Sequence, residues 1–199
     1  MAIILISDPP YGINIVSKDG KIGQKNLCEQ GIYRPIINDE TTETARKMYE
    51  GVKPLCDKFI IFGGNYFTDF LPPSPCWIIW DKKGEMNSNN FADCEIIWTN
   101  FDSPSRIITC LWRGMIKQGE SGKRVHPTQK PVDLLVKIIE AYTDKDDTIL
   151  DPFGGSGSTL IAAEQTGRTA YLMEIDCLYC DVIVKRFEDY TGEKATLEA

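Results

Sequence analysis

Short apolar runs rich in β-branched and aromatic residues recur along the chain and alternate with stretches whose apolar residues fall at helical spacing. Ile3–Ser7, Phe59–Phe62, Trp77–Trp80, Glu95–Thr99, Ile107–Leu111, Thr148–Leu150 and Thr169–Met173 read as strands. Between Thr41 and Cys56, the residues Ala45, Met48, Tyr49, Val52 and Leu55 mark one face of a helix. Pro131 predicts the start of a second helix at its first position, where a missing N–H costs nothing, with Val132, Leu135, Val136, Ile139 and Tyr142 on the buried side. A third helix starts in Gly155–Ser158. A fourth, over roughly 178–190, aligns Tyr179, Ile183, Phe187 and Tyr190 ahead of the stop residue Gly192. Residues 81–94 and 113–126 are polar and aperiodic and read as loops. This alternation predicts an α/β domain built on a mostly parallel sheet with helices on both faces.

Composition narrows the class. A chain of 199 residues suits one domain, and 42% hydrophobic with 26% charged residues is the balance of an ordinary globular chain. The longest apolar runs, such as Ile3–Ile6 and Phe59–Phe62, fall far short of the roughly 20 residues a bilayer span needs, and no charged-then-apolar leader opens the sequence. A cytoplasmic protein without a membrane partner is therefore expected. Seven cysteines without framework spacing suit reduced thiols. Cys177 and Cys180 form a C-x-x-C, but a zinc site would want a second pair or two histidines, and His126 is the sole histidine, so no metal is expected. A net charge of −7 argues against a protein that coats nucleic acid non-specifically. An enzyme handling one nucleotide at a time needs only a local positive strip, for which Arg106, Arg113, Lys117, Lys123 and Arg124 are the candidates.

Two loops carry candidate chemistry. Asp8-Pro9-Pro10-Tyr11-Gly12 follows the strand Ile3–Ser7 directly, and in open α/β sheets ligands gather at the carboxyl ends of the strands. Each proline fixes its own φ and restricts its predecessor, so the loop can hold a carboxylate, a carbonyl and a ring in set positions. The amino group of a nucleobase is a poor nucleophile because its lone pair is delocalised into the ring. The Asp8 carboxylate and the Pro9 carbonyl could hold both of its hydrogens and stabilise the positive charge that grows on nitrogen during transfer. Tyr11 could stack on an extruded base.

The second loop is the run from Thr148 to Ser158, TILDPFGGSGS, a strand entering a glycine-rich turn and a helix. It lacks the lysine of a phosphate-binding loop and the full G-x-G-x-x-G of a dinucleotide fold, which sets an oxidoreductase aside. Glu174 ends the next strand about 20 residues beyond the glycines, where an acidic side chain can accept hydrogen bonds from ribose hydroxyls. A nucleoside cofactor without a phosphate, S-adenosylmethionine, fits that combination.

The succession DPPYG, then His126-Pro-Thr-Gln-Lys-Pro131, then DPFGGSGST resembles the permuted, beta-type class of DNA amino-methyltransferases, in which the catalytic loop precedes the glycine loop. Trp77–Thr99 also looks like the small phage-type members. The resemblance implies a single-domain, circularly permuted Rossmann-like fold, with residues 1–101 as a catalytic-loop half, 126–190 as a cofactor half and 102–125 as a short target-recognition segment. It implies that Asp8, Pro9, Pro10 and Tyr11 form the catalytic loop. Asp151, Pro152, Phe153, Gly154, Gly155, Ser156, Gly157, Glu174 and Ile175 would surround S-adenosylmethionine, with Thr128 and Lys130 near its carboxylate, while His126 would pin its loop. The implied activity is methylation of DNA at N6 of adenine, since Asp8 stands where N4-cytosine members more usually carry serine. N4-cytosine methylation and a non-catalytic accessory subunit are the alternatives. The sequence opens straight on the catalytic strand, where members of the class carry a further strand and acidic turn, and its recognition segment is short. Weakened cofactor affinity and a homodimer or specificity partner are expected on those grounds, in a bacterial or phage-infected cell.

Overall fold

The computed structural model describes every residue except 18, 23–32, 89–91, 114–115, 120–123 and 199; of Arg113 and Ile116 it describes the backbone alone. Cys28 and Lys123 thus lie outside the described residues.

All seven expected strands meet in one sheet. They are β1 (Ile3–Ser7), β2 (Lys58–Phe62), β3 (Trp77–Asp81), β4 (Cys94–Thr99), β5 (Arg106–Thr109), β8 (Thr148–Asp151) and β9 (Thr169–Leu172). The spatial order is β5-β3-β4-β2-β1-β8-β9. β4 runs antiparallel to both β2 and β3, and every other pairing is parallel. Two short strands, β6 (Trp112–Arg113) and β7 (Ile116–Lys117), form a separate ribbon in a stretch expected to be loop. β5 ends at Thr109, before the expected Leu111, because the chain turns there. The Cys110 N–H bonds the Asp81 carbonyl, and its own carbonyl takes the Trp80 indole at 2.9 Å.

Alternate residues of the central strands enter opposite layers, as the two-residue period of a strand requires. Leu5, Phe59 and Ile61 join Ala45, Met48 and Tyr49 of helix α1 (Glu43–Val52), whereas Ile4, Ile6, Ile60 and Phe62 join helices α2 (Val132–Tyr142) and α3 (Ser158–Thr166) on the other face. α1 stops short of its expected end because Pro54 has no N–H to carry the hydrogen-bond ladder on, although Lys53 itself keeps helical dihedrals, φ −53 and ψ −38. Pro131 is the residue that caps α2, with ψ 133, and not its first helical residue. Helix α4 (Cys177–Thr191) ends at Gly192 in the left-handed conformation. It leans on α3 without a fully buried residue, and Tyr190 of its expected stripe is exposed.

The chain leaves β1 towards β2 on one side and β8 towards β9 on the other, so the strand order reverses between β1 and β8. That switch point is where an open α/β sheet leaves a crevice at its carboxyl edge. No helix among the described residues is long and apolar enough to cross a membrane.

Candidate active site

The loop after β1 is wound tightly at the carboxyl edge. Gly12 has φ +74, and a Cβ there would stand 2.7 Å from the Thr41 carbonyl carbon, so only glycine lets the two segments touch. Asp39, buried, accepts the N–H groups of Gly12 at 3.0 Å and Ile15 at 2.8 Å, which fixes the chain beyond Tyr11. The Tyr11 hydroxyl donates to Asp8 Oδ1 at 2.5 Å. Its ring stacks on Tyr66 with centroids 5.0 Å apart and meets the edge of Phe67. Gly63, at the end of β2, lies beneath that ring, and a Cβ there would come within 2.3 Å of it.

Asp8 also belongs to a line of alternating charges. Lys130 Nζ donates to Asp8 Oδ2 at 2.5 Å and lies 3.5 Å from Glu95 Oε2, while Lys82 donates to Glu95 Oε1 at 2.9 Å. Burial raises the Asp8 carboxyl against the downward pull of Lys130. Burial also works against the Lys130 charge, yet Asp8 and Glu95 together raise its pKa. Glu95 is held below the usual carboxylate range because Lys130 and Lys82 outweigh its burial. Lys130, expected near a cofactor carboxylate, lines the cavity with its ammonium bonded to Asp8. Thr128 also lines the cavity, its N–H and Oγ1 lying 3.3 and 3.2 Å from His126 Nδ1.

The glycine turn is tied to the first loop through Asp151. Ser7 Oγ, from the end of β1, donates to Asp151 Oδ1 at 2.8 Å, and Thr159 Oγ1, from α3, donates to Oδ2 at 2.7 Å. Burial pushes the Asp151 carboxyl up to about 7 against these hydrogen bonds. Gly154 and Gly157 let the turn approach α4, since a Cβ on either would stand 3.1–3.2 Å from Ile183. Gly155, with φ +53, instead turns towards His126. Its N–H donates to Glu174 Oε2 at 2.7 Å, and Glu174 Oε1 accepts from Asp176 N–H at 2.8 Å. The His126 ring packs edge-on against Tyr179 at 4.4 Å, and burial, then Lys130, lowers its pKa to about 4.

Both loops open into one cavity of about 930 Å³. Asp8, Pro9, Pro10, Tyr11, Thr128, Lys130, the run Asp151–Ser156, Glu174 and Ile175 all line it; Gly157 does not, because it serves the contact of the turn with Ile183. The expected basic strip is divided. Arg106 pairs opposite Ile78 at the amino end of β3, away from the cavity, whereas Arg124 lines the cavity with its guanidinium 5.4 Å from the Trp112 ring centroid. No group of three or more His, Cys, Asp or Glu side chains among the described residues could hold a metal ion.

A family model described as DNA methylase (N6_N4_Mtase) matches residues 82–185. The Escherichia coli (strain K12) protein "Putative methylase YubD" is 56% identical over 179 residues, covering 82% of this chain and 72% of that protein. This chain belongs to the DNA methylase family. Type II methyltransferase M2.MboI of Moraxella bovis is 35% identical over 128 residues, and type II methyltransferase M.HinfI of Haemophilus influenzae 33% identical over 132. Each match covers 64% of this chain but only 46% and 35% of the relative, so the chain spans less than half the length of these type II relatives. Among solved structures, the M1.HpyAVI–SAM complex aligns over 94% of this chain and 88% of its own with TM-score 0.58 and 20% identity. PvuII DNA methyltransferase (cytosine-N4-specific) aligns over 94% and 79% with TM-score 0.60 and 15% identity. These likenesses establish the Rossmann-like methyltransferase fold.

Several side chains that build the site of this DNA methylase family member escaped the sequence reading. Glu95 and Lys82 lie apart from both loops, and Glu95 reads as one polar position opening a strand. Tyr66 and Gly63 follow β2 in a Gly-Gly-Asn-Tyr turn, a signal that was legible as a strand end with room above it. Asp39 sits in a polar stretch with no periodicity to mark it.

Proposed function

We propose that this chain transfers a methyl group from S-adenosylmethionine to N6 of adenine in DNA, on a base turned out of the helix. The observation that carries the proposal is the shared cavity: the proline-flanked Asp8 and the glycine turn at Gly155 line the same space. Its volume of about 930 Å³ is at the upper end of the roughly 300–1,000 Å³ usual for ligand sites.

The residues present fit the cofactor. Gly155 turns its open side into the cavity, where a Cβ would intrude towards His126 at 3.7 Å. Glu174 spends one acceptor position of each oxygen on a backbone N–H and keeps others for ribose hydroxyls, since a carboxylate offers about four. Pro152, Phe153 and Ile175 supply apolar walls. When bound, the cofactor supplies an electrophilic sulfonium methyl. Asp8 and the Pro9 carbonyl accept the hydrogens of the base amino group, localise its lone pair and stabilise the charge that develops on nitrogen. Tyr11 and Tyr66, stacked together, offer aromatic surface to an extruded base. Residues 1–101 then act as the half that holds the base and 126–190 as the half that holds the cofactor. The segment 102–125 is the candidate reader of DNA sequence, supplemented by a second copy or a specificity partner.

The test is incubation with S-adenosylmethionine labelled in its methyl group and unmethylated DNA, followed by digestion to nucleosides. Label in N6-methyl-2′-deoxyadenosine is expected. Label in N4-methylcytosine alone rejects adenine as the target. Absence of transfer together with absence of cofactor binding by calorimetry favours an accessory subunit.

A further inference from the structure

Glu95 reaches the cavity from β4, which is separated from β1 by β2 in the sheet. Its Oε1 is held by Lys82 at 2.9 Å, but its Oε2 is buried and accepts no hydrogen bond among the described residues, with the Lys130 ammonium 3.5 Å away. A buried carboxylate oxygen left without a donor is costly, and native sites keep few of them. Here the vacancy lies beside a cation already committed to Asp8 at 2.5 Å. Lys130 thus has two seats, one hydrogen-bonded and one held only at ion-pair distance. The Phe62 and Tyr11 rings flank it at 5.2 and 5.7 Å and confine the ammonium to the space between the two carboxylates.

The methyl-transfer reading of the preceding section, on which this inference rests, makes a demand on that pair. Asp8 must turn an oxygen to the base amino group, and an ammonium held on that oxygen competes for the same negative charge. We propose that Glu95 is a positioning residue that draws the Lys130 ammonium onto its own free oxygen when a base enters, and so releases Asp8 Oδ2 to the amino group. Lys82 keeps the Glu95 carboxylate aimed by holding its other oxygen. Glu95 touches neither substrate nor cofactor in this scheme; it acts through Lys130.

The charged and titratable groups that bear on Asp8 are Lys130, Tyr11, Glu95 and, across the β1–β8 pairing, Asp151. The Glu95 charge raises the Asp8 pKa, so neutralising it moves the Asp8 titration to lower pH and ties Lys130 more firmly to Asp8.

Glu95→Gln keeps the shape and removes the charge, and Glu95→Asp keeps the charge but withdraws it by one methylene. For Glu95→Gln, kcat is expected to fall at least about tenfold while the cofactor Kd and the KM for DNA stay within about threefold, the split expected when only a step after binding is affected. Glu95→Asp is expected to be intermediate, and it carries the test alone if the Gln variant fails to fold. Carbon-13 NMR of the Asp8 carboxyl supplies a readout independent of turnover, with a downward shift of its titration expected in Glu95→Gln. A folded variant with kcat within about twofold of the parent protein overturns the proposal, as does an unmoved Asp8 titration or a loss confined to cofactor binding. A parent protein that transfers no methyl group sinks the reading of the preceding section instead, and the Asp8 titration then decides alone whether Glu95 governs the charge at that carboxylate.

Discussion

The Asp8 carboxylate lines the cavity and accepts hydrogen bonds from the Tyr11 hydroxyl and the Lys130 ammonium, one on each oxygen. Its removal leaves Lys130 with Glu95 nearby, so Asp8→Ala does not strand a cation without a counter-charge. It also leaves the glycine turn untouched. Asp8→Ala is therefore expected to abolish methyl transfer while the calorimetric Kd for S-adenosylmethionine stays near the parent value. Gly155→Val should do the reverse at the binding step, because φ +53 is strained for a β-branched residue and the new side chain projects into the cavity. Equal loss of cofactor binding in the two variants would contradict this division of labour. At this scale the sequence disclosed what is contiguous. Asp8 to Tyr11 and Asp151 to Gly155 each form a loop whose order of residue types states its chemistry. The Asp8–Lys130–Glu95 line joins three distant positions, and no local pattern marks Glu95 as the partner of Lys130.

Three elements are fastened together by one buried side chain. Asp151, the last residue of β8, takes the Ser7 hydroxyl from the end of β1 and the Thr159 hydroxyl from the first turn of α3. The link holds the base-side loop and the glycine turn in register across the switch point. Thr159→Val preserves the shape but removes a donor from a buried acceptor, a loss of about 1–3 kcal/mol. Urea denaturation should show that destabilisation, and unchanged stability would mean that Asp151 needs only Ser7 and the Phe153 N–H. The elements themselves were largely legible, because strands buried on both faces read as apolar runs and α2 carries a clear helical stripe. The reversed direction of β4 was not, since β4 obtains its orientation from pairing with β2, distant in sequence, as well as with its predecessor β3 across a polar loop without a tight-turn signal. The β6–β7 ribbon escaped because strands of two residues are too short to show alternation.

Across the whole molecule, a half-buried imidazole and a buried carboxyl oppose each other in the dependence of stability on pH. His126 has its pKa lowered from 6.5 to about 4 on folding. Between those values the unfolded chain binds a proton that the native state does not, so this group's contribution is complete above pH 6.5 and is lost as pH falls towards 4. Asp151 has its pKa raised from 3.8 to about 7, so between those values the native state binds a proton that the unfolded chain does not. Its contribution is complete below pH 3.8 and is lost as pH rises through 7. Each slope is at most about 1.4 kcal/mol per pH unit, and the two have opposite sign over most of the interval from pH 4 to 6.5. In the parent protein they largely cancel. His126→Asn removes the rising slope and should make stability fall more steeply with increasing pH than in the parent. Asp151→Asn removes the falling slope and should make stability rise with pH relative to the parent. Denaturant titrations of the three proteins at several pH values between 4.5 and 6 compare slopes, so the fixed cost of either substitution drops out. Parallel profiles would show that neither group changes its proton occupancy on folding. The imidazole would then not be kept neutral against Tyr179 and the glycine turn, and the carboxyl joining β1, β8 and α3 would titrate as it does in the unfolded chain.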